Sequence, residues 1–241
     1  MTGITGRRIG GLLGLAALVA ACSSGPATPP ARTAGVLGAS SQPSAGPATA
    51  IPTGTDQGLY GRPGGPDPIP IAGANVTILL PYGWLALDSK SSPIAVHTTM
   101  DSHPVVADTI GTLLDNTATF VGFDAAATGA GRPATVTIRR IGDAIPVQNL
   151  LTGLARATAS QIQDSQPISG TVTYQDANLP NGPAVEMVYT LTPPTGLSLA
   201  LDVFLVSVGD STYLVSFAVP ADEIAGFAPV FRNVVQTLTV G

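Results

Sequence analysis

The sequence predicts an α+β domain in which a largely antiparallel β-sheet is flanked by helices. Four β-rich runs follow one another between residues 170 and 219, with short polar connections between them. One of these runs, LALDVFLVSV, is apolar at nearly every position, whereas a strand buried on one face alternates apolar and polar residues. This favours a sheet covered on both faces. Three segments with helical periodicity are available to cover it, so we expect a layered sandwich.

The first part of the domain is predicted to begin with strands. The run NVTILLPYGW indicates a strand over residues 75–80 and a Pro-Tyr-Gly turn, followed by a second strand over 84–88. Apolar and polar residues alternate in SPIAVHTTM, which predicts a third short strand over 92–100. Apolar residues at offsets of three and four then predict an amphipathic helix over 104–121.

The middle of the chain is predicted to add one strand and one helix. RPATVTIRRIG, residues 132–142, is rich in β-branched residues and indicates a strand. PVQNLLTGLARATASQIQD, residues 146–164, has helical periodicity. The helix is expected to bury four residues, namely Leu150, Leu151, Leu154 and Ile162.

The C-terminal part is predicted to be a four-stranded meander followed by a helix. Asn181-Gly182 between two β-rich runs is a strong hairpin signal, because both central residues of such a turn require positive φ. FAPVFRNVVQTL, residues 227–238, indicates the closing helix. We expect Pro229 in its first turn, since an interior proline removes a hydrogen bond. The buried stripe is predicted to consist of Val230, Phe231, Val234 and Leu238.

The composition divides the chain into three parts. Residues 1–21 have two arginines and then an uncharged apolar run, which is typical of a signal peptide. The 13 apolar residues from Ile9 to Ala21 reach only about 20 Å as a helix, short of the roughly 30 Å hydrocarbon core. Residues 22–73 are rich in Pro, Gly and Ser and predict a disordered linker. Residues 74–241 are expected to form a single α+β domain.

Cys22 is the only cysteine of the chain, and its setting indicates lipid attachment. Leu18, Val19, Ala20 and Ala21 before it resemble the lipobox of bacterial lipoproteins. That resemblance implies cleavage between Ala21 and Cys22 and a diacylglycerol thioether on the cysteine sulfur. An intrachain disulfide is excluded because there is no second cysteine, and the flanking residues supply no base for a catalytic thiolate.

The charge pattern argues against two classes of partner. Without the predicted signal peptide, the chain has 15 acidic and 8 basic residues, and Lys90 is its only lysine. Nucleic-acid binding requires clustered Lys and Arg, and so does a polybasic membrane patch. The gly-rich segments lack nucleotide-binding spacing, and no cofactor is predicted.

The order of the predicted elements resembles the Mog1/PsbP-like fold. The resemblance is carried by LPYGW after the first strand, by the hairpin LPNGPAVEMVYTL, by TYLVSFAVP and by the closing FAPVFRNVVQTL helix. Together with the lipobox and linker, the chain is similar to the LpqN-type lipoproteins of actinobacteria. The resemblance implies an α/β/α sandwich and a non-catalytic partner of larger assemblies.

Candidate site residues are few. Glu186, one of two glutamates, lies inside an apolar strand, while Arg139 and Arg140 lie in another. A buried charge requires a partner, so we expect a pair between Glu186 and one of these arginines, either structural or ligand-anchoring. Tyr82 and Trp84 flank the first turn and are candidates for recognition, although core packing is the commoner fate of such residues.

His97 and His103 are the only histidines, and their spacing matches no metal motif. The leading expectation is therefore a lipid-anchored, non-catalytic binding or accessory protein at the outer face of the cell membrane. Its partner would be an envelope protein or an apolar ligand. The alternative is an envelope hydrolase or transferase with a site built from scattered Asp, Ser and His residues.

Overall fold

The computed structural model describes residues 61–127, 132–192 and 196–241. The predicted signal peptide, Cys22 and most of the predicted linker lie outside these residues. The strands are β1 (Arg62–Pro63), β2 (Ile69–Pro70), β3 (Val76–Ile78), β4 (Trp84–Asp88), β5 (Phe120–Asp124), β6 (Thr135–Asp143), β7 (Ile168–Leu179), β8 (Gly182–Leu191), β9 (Leu199–Val208), β10 (Ser211–Pro220) and β11 (Thr239–Val240). The helices are α1 (Pro93–Ser102), α2 (Ala107–Leu114), α3 (Gln148–Ser165) and α4 (Ile224–Gln236), with a 3-10 helix at Pro104–Val106.

The strands form one large and one small antiparallel sheet. The large sheet has eight strands in the order β1-β4-β5-β6-β10-β9-β8-β7, and the small sheet has the order β11-β3-β2. Strands β7 to β10 pair consecutively, so the predicted C-terminal meander is confirmed. The turn itself differs from the prediction: Leu179 pairs with Gly182, so the two turn residues are Pro180 and Asn181, and Asn181 does not have positive φ. Gly182 is the first residue of β8 and has φ 140°.

Helices cover both faces of the large sheet, which confirms the predicted α+β class. Alternate residues of β9 and β10 point to opposite sides. On one side they pack with α3, in a core that includes Leu151, Met187 and Leu205. On the other side they pack with α4 and the small sheet, in a core that includes Phe204, Phe217 and Phe231 and stacks the last two rings 4.5 Å apart.

The predicted strand over residues 92–100 is wrong, because these residues form α1. The Ser92 hydroxyl accepts a hydrogen bond from the backbone N–H of Ala95 at 3.1 Å, and Pro93 occupies the first turn. This is a strong helix start. It outweighs the alternating pattern and the β-branched residues that suggested a strand.

The predicted helix over residues 104–121 is too long. The structure has a 3-10 helix, then α2, which ends at Leu114. Asn116 has φ 54°, and this left-handed conformation cannot continue a helix. Val121, which fitted the helical spacing, lies in β5 and is buried there.

Helix α3 lies within two residues of its predicted bounds, but it buries fewer leucines than expected. Leu151 and Ile162 are buried. Leu150 is 64% exposed and Leu154 is half-buried. The buried stripe is therefore narrower than the sequence spacing suggested.

Helix α4 begins three residues before its predicted start, so Pro229 lies inside it rather than in the first turn. The proline lacks an N–H for the carbonyl of Ala225, but the helix continues to Gln236. Phe231, Val234 and Leu238 are buried as predicted, whereas Val230 is half-buried.

Residues 61–73 differ from the predicted disordered linker, because they pack on the two sheets. Strand β1 pairs with β4, and β2 pairs with β3. Ile69 and Ile71 are 5% and 1% exposed. The ordered region therefore begins before the predicted boundary at residue 74.

Candidate functional site

Two carboxylates lie on the face of the large sheet that α4 covers. In β8, alternation places Glu186 on the same side as Ala184, which belongs to the core under α4. In β9 it places Asp202 on the same side as Phe204, from the same core. Glu186 pairs with Phe204 in the register, so Asp202 is its diagonal neighbour. Side chains in this relation are close enough to interact.

Glu186 is held by two side chains from other elements. The Nη2 atom of Arg232, on α4, donates to both Glu186 carboxylate oxygens, at 2.8 and 2.7 Å. The Nε2 atom of Gln175, opposite Glu186 on β7, donates to the Oε2 atom at 2.6 Å. The Glu186 side chain is 6% exposed, so these bonds supply the partners that a buried carboxylate requires.

Asp202 is buried without such partners. The residue is 2% exposed, and its Oδ1 atom accepts no hydrogen bond from the residues described. Burial, and after it the charge of Glu186, raise the pKa of Asp202 to about 7, although the guanidinium of Arg232 opposes both effects. An unsatisfied buried oxygen is costly, and native structures contain few of them.

We call Gln175, Glu186, Asp202 and Arg232 the carboxylate–arginine cluster. Its outer side chains reach the surface: Gln175 is exposed, and the Arg232 side chain is 52% exposed. With Asp202 ionised, the cluster holds two negative charges and one positive charge. It therefore combines a buried net negative charge with an exposed polar rim, which is suited to binding a cationic or hydrogen-bond-donating group.

The expected pairing of Glu186 with Arg139 or Arg140 is wrong. Arg140 donates from Nε to the Ser211 hydroxyl at 2.8 Å and forms an ion pair with Asp143 at 3.2 Å. Arg139 is half-buried, and burial lowers its pKa. Both arginines are on β6, which β10 and β9 separate from β8. The sequence could not reveal this strand order.

Tyr82 and Trp84 have different environments. Tyr82 is 77% exposed in the turn before β4. Trp84 is 3% exposed and belongs to the core under α4. Of these two candidates, only Tyr82 lies at the surface.

The two histidines lie in the α1 region. His97 is exposed on α1. His103 follows this helix, and its ring contacts the Phe123 ring edge-on, with centroids 5.0 Å apart. Partial burial lowers the pKa of His103. Among residues 61–127, 132–192 and 196–241, no three His, Cys, Asp or Glu side chains are grouped closely enough to hold a metal ion.

The sequence did contain a signal for one residue that was missed. Asp202 interrupts the apolar run LALDVFLVSV, just as Glu186 interrupts PAVEMVYTL. A carboxylate inside such an apolar run is buried when both faces of its strand are covered. Arg232 is the one charged residue of α4, but its local sequence does not connect it with Glu186, because an arginine on an amphipathic helix is most often solvated.

In the part of the chain that the structure describes, the helices are too short or too polar to span a membrane. The predicted lipid attachment residue Cys22, and the cleavage site between Ala21 and Cys22, lie outside the described residues.

Comparison with known proteins yields structural similarity only. No family model and no curated protein sequence matches the chain. Three of the similar solved structures are cyanobacterial PsbP (CyanoP) from Synechocystis, LpqN from Mycobacterium tuberculosis, which is involved in cell envelope biogenesis, and the Ran-binding protein Mog1p from Saccharomyces cerevisiae.

The identities are low and the overlaps partial. PsbP is 13% identical, with 73% of this chain and 92% of PsbP covered and a TM-score of 0.43. LpqN is 11% identical, with coverage of 68% and 83% and a TM-score of 0.42. Mog1p is 11% identical, with coverage of 72% and 94% and a TM-score of 0.42. With TM-scores below 0.5, the assignment of the α+β class rests on the strand order and the helices themselves.

Proposed function

We propose that the chain is a lipid-anchored, extracytoplasmic binding protein of the cell envelope, and that it binds a partner at the carboxylate–arginine cluster without catalysing a reaction. The apolar leader and the lipobox-like residues before Cys22 support the anchor. Two buried acyl chains suffice for stable membrane attachment. The Pro- and Gly-rich segment after Cys22 supports a spacer between the lipid and the folded region.

The observation that carries the binding role is the unsatisfied Asp202 carboxylate beside the Glu186–Arg232 pair. A purely structural ion pair needs no second carboxylate, whose burial and proximity to Glu186 both oppose ionisation. Groups with such perturbed pKa values are concentrated at functional sites. A partner that donates to Asp202 would relieve this cost.

The binding role is tested by photo-crosslinking from the full-length protein in its native envelope. A photoreactive amino acid is placed at Gln175, which bonds to Glu186, or at Ser160 as a control. Ser160 is exposed on α3, which packs on the opposite face of the sheet. We expect an adduct from position 175 that is absent from position 160 and is lost in an Asp202→Asn background. Equal adducts from both positions, or none, would contradict the proposed site.

The anchor is tested separately by mass spectrometry of the mature amino terminus. We expect the first residue to be Cys22 carrying a diacylglycerol thioether, and a Cys22→Ser variant to leave the membrane fraction or to remain unprocessed. An unmodified Cys22 peptide from the membrane fraction would contradict the anchor but not the binding site.

One observation favours the alternative of an envelope hydrolase or transferase. A carboxyl whose pKa is about 7 is suited to general acid–base chemistry near neutral pH. This candidate predicts turnover in a hydrolase screen of wild-type protein that falls at least about 100-fold in Asp202→Asn. Activity that is unchanged in this variant would remove Asp202 from any such mechanism.

A further inference from the structure

We propose that the carboxylate–arginine cluster binds a primary ammonium group, with Asp202 as the anion that pairs with it. The inference rests on the proposed binding function and specifies the chemistry of the ligand. The ammonium group belongs either to a lysine side chain of a partner protein or to a small free amine. In both cases it donates a hydrogen bond to Asp202 Oδ1.

The charges around Asp202 favour a cation. Strand β8 presents Glu186 and α4 presents Arg232, while β10 presents the apolar Phe217 opposite Asp202 in the register. Arg232 is bonded to both oxygens of Glu186 and so compensates that carboxylate first. Ionised Asp202 is left as an excess negative charge at a site where it is 2% exposed. A second cation compensates it, and a neutral donor does not.

The requirement for a donor selects among cations. Asp202 Oδ1 has no hydrogen-bond donor among the described residues, so a cation with N–H groups satisfies both its charge and its lone pair. A quaternary ammonium ion satisfies only the charge. A divalent metal ion requires more oxygen ligands, and the described residues bring only two carboxylates to this cluster.

The ligand must come from outside, and the rim of the cluster allows its entry. The chain has one lysine, Lys90, and a net charge of −5, so a cationic partner is attracted to it. The rim side chains, Gln175 and Arg232, are exposed and half-exposed. Binding requires that rotation of these two side chains gives the ligand access to Asp202.

The experiment is an NMR titration of the full-length mature protein in detergent with n-butylammonium chloride and with the peptide acetyl-Gly-Lys-Gly-amide. We expect saturable chemical-shift changes at residues of β8 and β9. The affinity is expected to be about tenfold or more higher at pH 8 than at pH 5.5, because Asp202 is ionised at pH 8 and protonated at pH 5.5. Tighter binding of the peptide identifies a lysine side chain as the source. Tighter binding of butylammonium identifies a free amine.

Three controls isolate the chemistry. Tetramethylammonium chloride has the charge but no N–H and is expected not to bind. Asp202→Asn is expected to abolish binding of both probes. Asp88→Asn removes another buried carboxylate, one that already pairs with Arg62 at 3.3 Å and accepts a bond from the Lys90 N–H, and is expected to leave binding unchanged.

Absence of binding by both amines to the folded wild-type protein would overturn the inference, and so would equal binding to Asp202→Asn. If the Gln175 adduct still depended on Asp202, the binding function would stand and only the ammonium chemistry would fail. If no such adduct formed, the proposed function itself would fail.

Discussion

Asp202 is a buried carboxylate without the hydrogen-bond partners that Glu186 has. Its neighbours on β9 are apolar, yet its carboxylate is buried, and Oδ1 lacks a donor among the described residues. Glu186, its diagonal neighbour, has three hydrogen bonds from Gln175 and Arg232. The difference between the two carboxylates is one of partners rather than of burial.

The raised pKa of Asp202 predicts that its ionisation destabilises the folded state. The folded form holds the proton up to about pH 7, whereas the ordinary pKa of an aspartate side chain is 3.8. The stability that the protonated Asp202 side chain contributes is complete below about pH 4 and is lost as the pH rises through 7. The loss is at most about 4 kcal/mol. We expect Asp202→Asn to flatten this dependence and to be more stable than the wild type at pH 8. Urea unfolding of both proteins at pH 5 and pH 8 measures this pH dependence of stability.

The control for this prediction is Asp88→Asn. Asp88 is also buried, but it has partners in Arg62, Ser91 and the Lys90 N–H. Its loss is expected to lower stability at both pH values. If the stability of the wild-type protein rose between pH 5 and pH 8, and that of Asp202→Asn changed with the same slope, the assigned environment of Asp202 would be wrong.

Arg232 is predicted to stabilise the fold through Glu186. Arg232→Met removes the cation but keeps an apolar stem, and leaves the Glu186 carboxylate buried with one side-chain donor. We expect a loss of about 1–3 kcal/mol in the free energy of unfolding. In Glu186→Gln/Arg232→Met the loss should be smaller than the sum of the single losses.

Arg156→Met serves as the matched control for Arg232. Arg156 is exposed and donates to the Tyr174 hydroxyl at 3.0 Å. Its replacement is expected to change stability by no more than about 0.5 kcal/mol. Equal effects of the two substitutions would show that the Glu186–Arg232 pair has no special role in stability.

At the scale of elements, α1 depends on its first turn. Ser92→Ala removes the hydroxyl that accepts the Ala95 N–H, and is expected to cost about 1 kcal/mol. Ser89→Ala, in the exposed turn before it, should have little effect. Denaturant unfolding compares the two variants, and a Ser92→Ala protein as stable as Ser89→Ala would show that the cap is not significant.

The elements that the sequence predicted well are those with strong local signals. Strands β7 to β10 have β-rich runs joined by short connections, and Asn181-Gly182 marks the first hairpin, although its turn consists of Pro180 and Asn181. Residues 92–100 form a helix rather than the predicted strand because the Ser92-Pro93 start outweighs their alternating pattern. The length of the predicted helix over 104–121 was wrong because helical spacing continued by chance beyond Asn116 into β5.

The candidate site was only half predictable, for a physical reason. Glu186 was identifiable because a charge in an apolar strand requires a partner. Its partner is 46 residues away on α4, and that contact depends on how the helix crosses the sheet. Local sequence contains no information on this crossing, so Arg139 and Arg140 appeared equally plausible.

For the whole molecule, residues 61–73 are predicted to be part of the folding unit. A protein that begins at residue 61 keeps the buried Ile69 and Ile71 and the Arg62–Asp88 ion pair. A protein that begins at residue 74 loses all three. We expect the shorter protein to be less stable by about 3–6 kcal/mol, mainly through the two isoleucines.

Thermal or urea unfolding of the two truncated proteins measures this difference. We expect the full mature chain to match the protein that begins at residue 61, because the composition of residues 22–60 predicts disorder. Equal stability of both truncated proteins would restore the original boundary at residue 74.

The most direct test of the binding site is the titration of the Asp202 side-chain carboxyl carbon by NMR in the full mature chain. We expect a midpoint near pH 7, because the carboxyl is buried beside Glu186, and a lower midpoint in Glu186→Gln, where the neighbouring negative charge is removed. A midpoint near pH 4 in the wild-type protein would show that Asp202 is solvated or already paired. Asp202 would then not be an unsatisfied carboxylate that requires a partner.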